Sequence, residues 1–200
     1  MNFKNIHKNF YFVTILLATF IFLLTLISGE VNDYRLYLKN WNISNAGESP
    51  WTTKLNGVSI RNSSYGPLHT LIGYLILLNT MIPKILFASS GLITFLILIK
   101  ARNSYVKKID NKDLYILLLI YPLFPLTIIT TYIYGINDAL IALFVVIACE
   151  ARRRKDMVAT GTILGLGALL KFYPILFLIF FSLCPKRGIS FKCLLIGLLV

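Results

Sequence analysis

The sequence predicts an all-α, polytopic transmembrane helical protein with an outer-face loop and a juxtamembrane helix, and three observations carry that prediction. First, 57% of the 200 residues are hydrophobic and 14% are charged, whereas a soluble domain is roughly 45–50% apolar and about 25% charged. Second, the mean hydropathy is +0.75, and long apolar runs recur between short polar breaks. A soluble fold cannot hide that much apolar surface, so lipid must be part of the solvent. Third, the net charge of +12 falls in short basic clusters between the runs, which is the pattern of cytoplasmic loops. No basic–aromatic groove pattern accompanies it, so nucleic acid is not the expected partner.

The elements follow in order. Lys4 and Lys8 precede an apolar stretch from Phe10 to Ile27. It is longer than a signal-peptide core, and Ser28-Gly29-Glu30 is a poor cleavage site, so Phe10–Ser28 reads as an uncleaved first span. Gly29–Ser64 is polar, holds Trp41 and Trp51, and carries Gly, Pro and Ser turn signals. Long loops in compact membrane proteins are usually functional. Tyr65–Ile82 is a weaker apolar run, opened by Gly66-Pro67, closed by Pro83 and interrupted by His69 and Asn79. Lys84–Ile99 is a stronger span, followed by the basic loop Lys100–Asp113. Leu114–Tyr132 is the next span, and Tyr134-Gly135-Ile136-Asn137-Asp138 breaks it. Ala139–Cys149 spans again and ends in Arg152-Arg153-Arg154-Lys155. Met157–Leu170 spans, Lys171-Phe172-Tyr173-Pro174 interrupts, Ile175–Cys184 is short, and Lys186-Arg187 precedes a last run from Phe191. That run is still apolar at Val200, which predicts one transmembrane domain over residues 1–200, continued in a longer protein. Residues 29–82 form its outer loop and interfacial helix.

Parity decides the fate of the weak run. The N-terminus and the basic clusters belong inside the membrane's cytoplasmic face, so Gly29–Ser64 lies outside. An odd number of crossings must then separate Ser64 from Lys100, yet two apolar runs lie there. Tyr65–Ile82 is the one expected to lie along the outer interface or re-enter. The breaks at Tyr134–Asp138 and Lys171–Pro174 then share the outer face with the long loop.

Few residues can carry chemistry. Asp138 stands at the start of a helix, where the dipole favours a carboxylate; Asn137 or Asp138 is equally a natural N-cap. Lys171 is either a lysine snorkelling to the interface or a point-charge partner for a lipid-linked phosphate. Asp33 is either a solvated loop charge or a base positioned to take a proton from an acceptor hydroxyl. His69 is a polar interface residue or a catalyst. Arg35, Lys39 and Arg61 are solvated or attract an anionic substrate. Gly161, Gly165 and Gly167 make a small-residue stripe for close helix packing. Asn42-Ile43-Ser44 and Asn62-Ser63-Ser64 have the form of glycosylation sequons. Cys149, Cys184 and Cys193 lack metal spacing and read as small buried hydrophobes.

Six blocks together resemble a known group: Asp33-Tyr34, Gly47-Glu48-Ser49-Pro50-Trp51, Tyr65-Gly66-Pro67-Leu68, Pro83-Lys84-Ile85-Leu86-Phe87, Tyr134-Gly135-Ile136-Asn137-Asp138, and Gly165-Leu166-Gly167-Ala168-Leu169-Leu170-Lys171-Phe172-Tyr173-Pro174. The pattern is similar to that of the C-type glycosyltransferases, nearest to family 87 and the GPI-type mannosyltransferases. The resemblance implies the N-terminal part of that fold in a bacterial or archaeal plasma membrane. It implies transfer of a mannosyl or other hexosyl group from a polyprenyl-phosphate donor at the non-cytoplasmic face. Asp33 would be the catalytic acidic residue. Lys171, Tyr173, Arg61, Tyr65, His69, Asn137 and Asp138 would bind substrate. The expected partners are membrane lipid and the polyprenyl-phosphate-linked sugar. No cofactor is implied, with a divalent cation the one candidate addition. The acidic motif departs from the GPI-type pattern, because an Asp-x-Asp needs an acid at Val31 and the nearest is Glu30; family 87 proteins need no such pair. Two rival readings stand beside this one. A transporter or lipid flippase predicts functional groups near mid-membrane and on both faces. A non-catalytic subunit or fragment predicts no activity.

Overall fold

Helices dominate because the apolar runs are long and end at polar or turn residues. The computed structural model describes residues 3–31, 33–49, 53–55, 58–60, 65–105, 123–184 and 188–200. Trp51, Arg61, the second sequon, the chain from 106 to 122 and the Lys186-Arg187 pair lie outside those residues. Helix α1 (Phe3–Ile27) covers the first predicted span. It is followed by α2 (Asp33–Asn45) and by a small antiparallel ribbon, β1 (Thr53–Leu55) with β2 (Val58–Ile60). Next come α3 (Pro67–Gly73), continued by a tighter turn over Tyr74–Leu77, and α4 (Ile82–Tyr105). Helix α5 (Pro125–Ile133) is π-helical from Ile128. Then follow α6 (Asp138–Arg153), α7 (Met157–Leu170) and α8 (Pro174–Ser182). A second ribbon, β3 (Leu183–Cys184) with β4 (Gly188–Ile189), leads to α9 (Phe191–Leu199). The all-α expectation thus holds for the body of the chain, with two short ribbons added in polar connections.

Two expectations need correction. The stretch from Gly29 is not a plain loop, since thirteen of its residues fold into α2. Tyr34, Tyr37, Leu38 and Trp41 recur at helical spacing and are all buried. Each aromatic ring removes roughly 150–250 Å² from solvent, which offsets the weak helix propensity of the Asn and Tyr residues around it. Cys149 is exposed rather than buried, because it lies on the face of α6 turned away from the helical core; Cys193 is buried as expected. The Cys184 side chain lies outside the described residues.

The weak run folds into a short helix and a tighter turn. Pro67–Leu77 is a short apolar helical segment. At 1.5 Å per residue it reaches about 16 Å, roughly half of a bilayer's hydrocarbon thickness. Among the described residues no single helix is long and apolar enough to cross a membrane. Pro125–Ile133 and Asp138–Arg153 pass together as a pair bent by 108°. The bend centres on Gly135, whose positive φ of 64° suits glycine. A Cβ there would meet Lys84 Cγ at 2.8 Å.

The α6–α7 hairpin sets the frame. Helix α6 runs from Asp138 to Arg153, about 24 Å, and α7 returns alongside it. The basic turn Arg152–Lys155 closes one end; Asp138 and Lys171 meet at the other. The glycine stripe does what its spacing predicts. A Cβ on Gly161 would overlap Cys193 O of α9, and one on Gly165 would lie 2.8 Å from Gly197 O. Large apolar side chains remain exposed on α1, α8 and α9, among them Phe12, Ile27, Phe180 and Leu199. That distribution suits a surface solvated by lipid.

Candidate functional site

The open end of the hairpin gathers the chain's breaks into one cluster. Asp138 is the first residue of α6, and Lys171 and Tyr173 flank the turn between α7 and α8. Lys171 Nζ donates to Asp138 Oδ1 at 2.7 Å, and Tyr173 Oη donates to the same oxygen at 3.0 Å. The carboxylate is the outer member, with its side chain 55% exposed against 18% for Lys171. Two readings expected from sequence, the helix cap and the snorkelling lysine, are not found. Neither Asn137 nor Asp138 caps the helix with its side chain, and Lys171 is paired rather than snorkelling freely. The carboxylate is drawn away by two donors that come from 33 and 35 positions along the chain.

Tyr65 supplies the floor. Lys171 Nζ lies 5.2 Å from the centre of the Tyr65 ring, a cation–π contact. Tyr65 reaches this place because Gly66 packs directly on α7. Gly66 N donates to Leu170 O at 3.1 Å, and a Cβ on Gly66 would overlap Leu169 O. His69 stacks on Tyr65 with ring centres 4.4 Å apart and is 1% exposed. Burial, and then the charge of Lys171, lower its pKa from 6.5 to about 3, so His69 is neutral at physiological pH. Two buried polar atoms, His69 Nε2 and Asn137 Nδ2, have no hydrogen-bond partner among the described residues. Buried groups of this kind are usually paired.

Tyr37 links the cluster to α2 and was missed from the sequence. Its hydroxyl accepts from Tyr65 Oη at 3.2 Å and donates to Asn137 Oδ1 at 3.5 Å. Desolvation, with the Tyr65 contact adding to it, raises its pKa. Burial, and then the Asp138 charge, do the same for Tyr173, so both phenols stay protonated donors. The recurrence Tyr34, Tyr37, Leu38, Trp41 was the available signal, a helix face inside a stretch that otherwise looks polar. Trp41 completes that face: its Nε1 donates to His69 O at 2.8 Å.

Asp33 is exposed and is the first residue of α2. It lies one turn before Tyr37 on a neighbouring face, and among the described residues it has no hydrogen-bond or ion-pair partner. It therefore borders the cluster without joining it. Arg35 and Lys39 do not join either. They line a separate open groove of about 600 Å³ on the other side of α2, with Glu30, Asn42 and Glu48.

Lys84 was also missed. It is fully buried, and its Nζ donates to Ser28 Oγ at 2.7 Å and Gly29 O at 2.6 Å. It ties the end of α1 to the start of α4, beside Gly135. Nothing in the local sequence marks it, since a lysine near a helix start is ordinarily solvated.

The donor set fits an anion. A lysine and a phenol, Lys171 and Tyr173, donate to a single carboxylate oxygen. Among the described residues no three His, Cys, Asp or Glu side chains gather as cation ligands. A family model described as Glycosyltransferase family 87 matches residues 64–198, which holds the whole cluster except Tyr37; Asp33 also lies before the matched residues. No curated protein and no solved structure matches the chain.

Proposed function

The chain belongs to glycosyltransferase family 87, whose members are membrane proteins, and from that premise we propose that this glycosyltransferase takes a hexosyl group, mannosyl in the first instance, from a polyprenyl-phosphate donor at the non-cytoplasmic face. One observation carries the reading: Lys171 and Tyr173 aim their donors at one anionic oxygen, at the hairpin end opposite the arginine-rich turn. That is the placement a lipid-linked phosphate at headgroup level requires. By the distribution of basic residues, the arginine-rich end is cytoplasmic and the cluster is outside. A transporter would instead place its charges near mid-membrane.

The reaction is an inverting displacement. The acceptor hydroxyl oxygen bonds to the anomeric carbon, the bond from that carbon to the phosphate oxygen breaks, and the electron pair leaves with the prenyl phosphate. Asp33 takes the hydroxyl proton as general base. Lys171 offsets charge on the departing phosphate, with Arg61 of the outer loop as its partner. Tyr65 holds Lys171 in place, and the buried His69 and Asn137 back the cluster from beneath. General-base catalysis supplies about 10²–10⁴-fold, and positioning and charge complementarity supply the remainder. Asp33→Asn is expected to lower turnover by about 10²–10⁴-fold with donor binding and melting temperature unchanged. Normal turnover in that variant removes the assignment.

A further inference from the structure

Asp138 is not explained by donor binding, because a carboxylate repels a phosphate. Yet it holds the one position where Lys171 and Tyr173 converge. Its side chain is more than half exposed while Lys171 is mostly covered, so the carboxylate can rotate into solvent and leave the lysine behind. The Tyr65 face continues to hold the ammonium once it has left. At the first turn of α6 the carboxylate is favoured by the helix dipole in either rotamer.

The reaction's own charge balance gives this arrangement a purpose. A sugar phosphodiester carries one negative charge. The prenyl phosphate product is a monoester with a second pKa of about 6, and so approaches two charges at neutral pH. A fixed lysine therefore holds product more tightly than donor and slows its own turnover. A tethered carboxylate competes at an effective concentration on the order of millimolar or above, and favours release of whatever anion it displaces.

We propose that Asp138 is an internal competitor for the carrier-phosphate subsite: it occupies Lys171 and Tyr173 in the resting enzyme, yields to the donor, and returns to expel the prenyl phosphate product. This rests on the donor reading above, and one experiment separates the two. Binding of a short-chain prenyl monophosphate, inorganic phosphate and phosphatidylglycerol is measured by calorimetry on detergent-solubilised protein. The proteins are wild type, Asp138→Asn, Asp138→Ser, Lys171→Gln and the Asp138→Asn/Lys171→Gln double variant, each checked by its melting temperature. The expected result is prenyl phosphate binding about tenfold tighter in both Asp138 variants, with product inhibition strengthened by the same factor and the gain lost in the double variant. A gain confined to the prenyl compound assigns the subsite to the lipid carrier; an equal gain for inorganic phosphate assigns it to phosphate in general; a gain for phosphatidylglycerol assigns it to lipid headgroups. Equal or weaker prenyl phosphate binding in folded Asp138 variants overturns the competitor. If Lys171→Gln still weakens binding in that case, the donor reading survives alone. Absence of prenyl phosphate binding in wild type and both Asp138 variants overturns both.

Discussion

The two ends of the α6–α7 hairpin are both charged, and they are built in opposite ways. At the turn, Glu150 pairs with Arg153 at 2.5 Å and with Arg154 at 3.0 Å, three and four residues away. Asp156 caps α7 by accepting from Ala159 N at 2.9 Å. These partners are near neighbours in sequence; Arg152 is the exception, donating to Leu183 O and lying 5.7 Å from the centre of the Phe181 ring. At the open end, Lys171 and Asp138 are 33 residues apart, and Tyr65 and Tyr37 come from still farther away. Local pairs on an exposed turn balance the charges of that turn. Distant groups that converge on one oxygen create a place for a ligand.

This contrast can be broken from either end. The largest effect is expected from Lys171→Gln, which removes the one cation among the described members of the cluster. A charged hydrogen bond contributes about 1.5–3 kcal/mol, so donor KM should rise by roughly 10–150-fold, read from initial rates against donor concentration. An unchanged KM would show that the open end is merely a second structural ion pair. Gly66→Ala tests whether distant packing builds the site. Its Cβ would overlap a backbone oxygen of α7, so the variant should lose about 1–3 kcal/mol of stability and displace Tyr65 from beneath Lys171. A calorimetric melt and donor KM check both effects, and normal values for both would deny the close approach any role.

The pH dependence sharpens the comparison further. His69 has a folded pKa of about 3, below its ordinary 6.5. Between those values the unfolded chain binds a proton that the fold refuses. Stability from this residue is therefore complete above pH 6.5 and declines as pH falls toward 3, by about 1.4 kcal/mol per pH unit. Melting temperatures of wild type and His69→Gln, measured from pH 7 down to 4.5, should converge on acidification; parallel curves would refute the burial effect. The smallest change belongs to the basic turn. Glu150→Ala removes surface pairs worth about 0–1 kcal/mol, so the melting temperature should barely move and transfer activity should stay the same. A large loss of activity would mean that the turn communicates with the site.

Part of this was legible in the sequence. Met157–Leu170 was readable to the residue, because an Asp cap opens it and Lys171-Phe172-Tyr173-Pro174 closes it. The run Tyr65–Ile82 was set apart as the weaker one by His69 and Asn79, and its helical part is the short segment Pro67–Leu77. Lys171, Tyr173, Asp138, Tyr65, His69 and Asn137 were each singled out, and they do meet. Their partnership was hidden. The cap reading for Asp138 was the better local argument, and it failed because two distant donors outcompete the helix's own N–H groups. Helix α2 was hidden for a related reason: its residues look polar as a list, and its aromatic face matters only once α3 and α6 are there to cover it.

Composition and the spacing of apolar and basic residues determined by themselves that this chain is helical, where its breaks fall and which ends carry positive charge. Those properties depend on solvent transfer and on backbone hydrogen bonding within a few residues. Tertiary structure alone decided that Lys84 is buried, that Tyr37 bridges Tyr65 and Asn137, and that Asp138 sits on the subsite it is proposed to guard. Each of those depends on atoms brought together from distant parts of the chain, where the winning contact is set by geometry and desolvation and leaves no trace in the local order of residues.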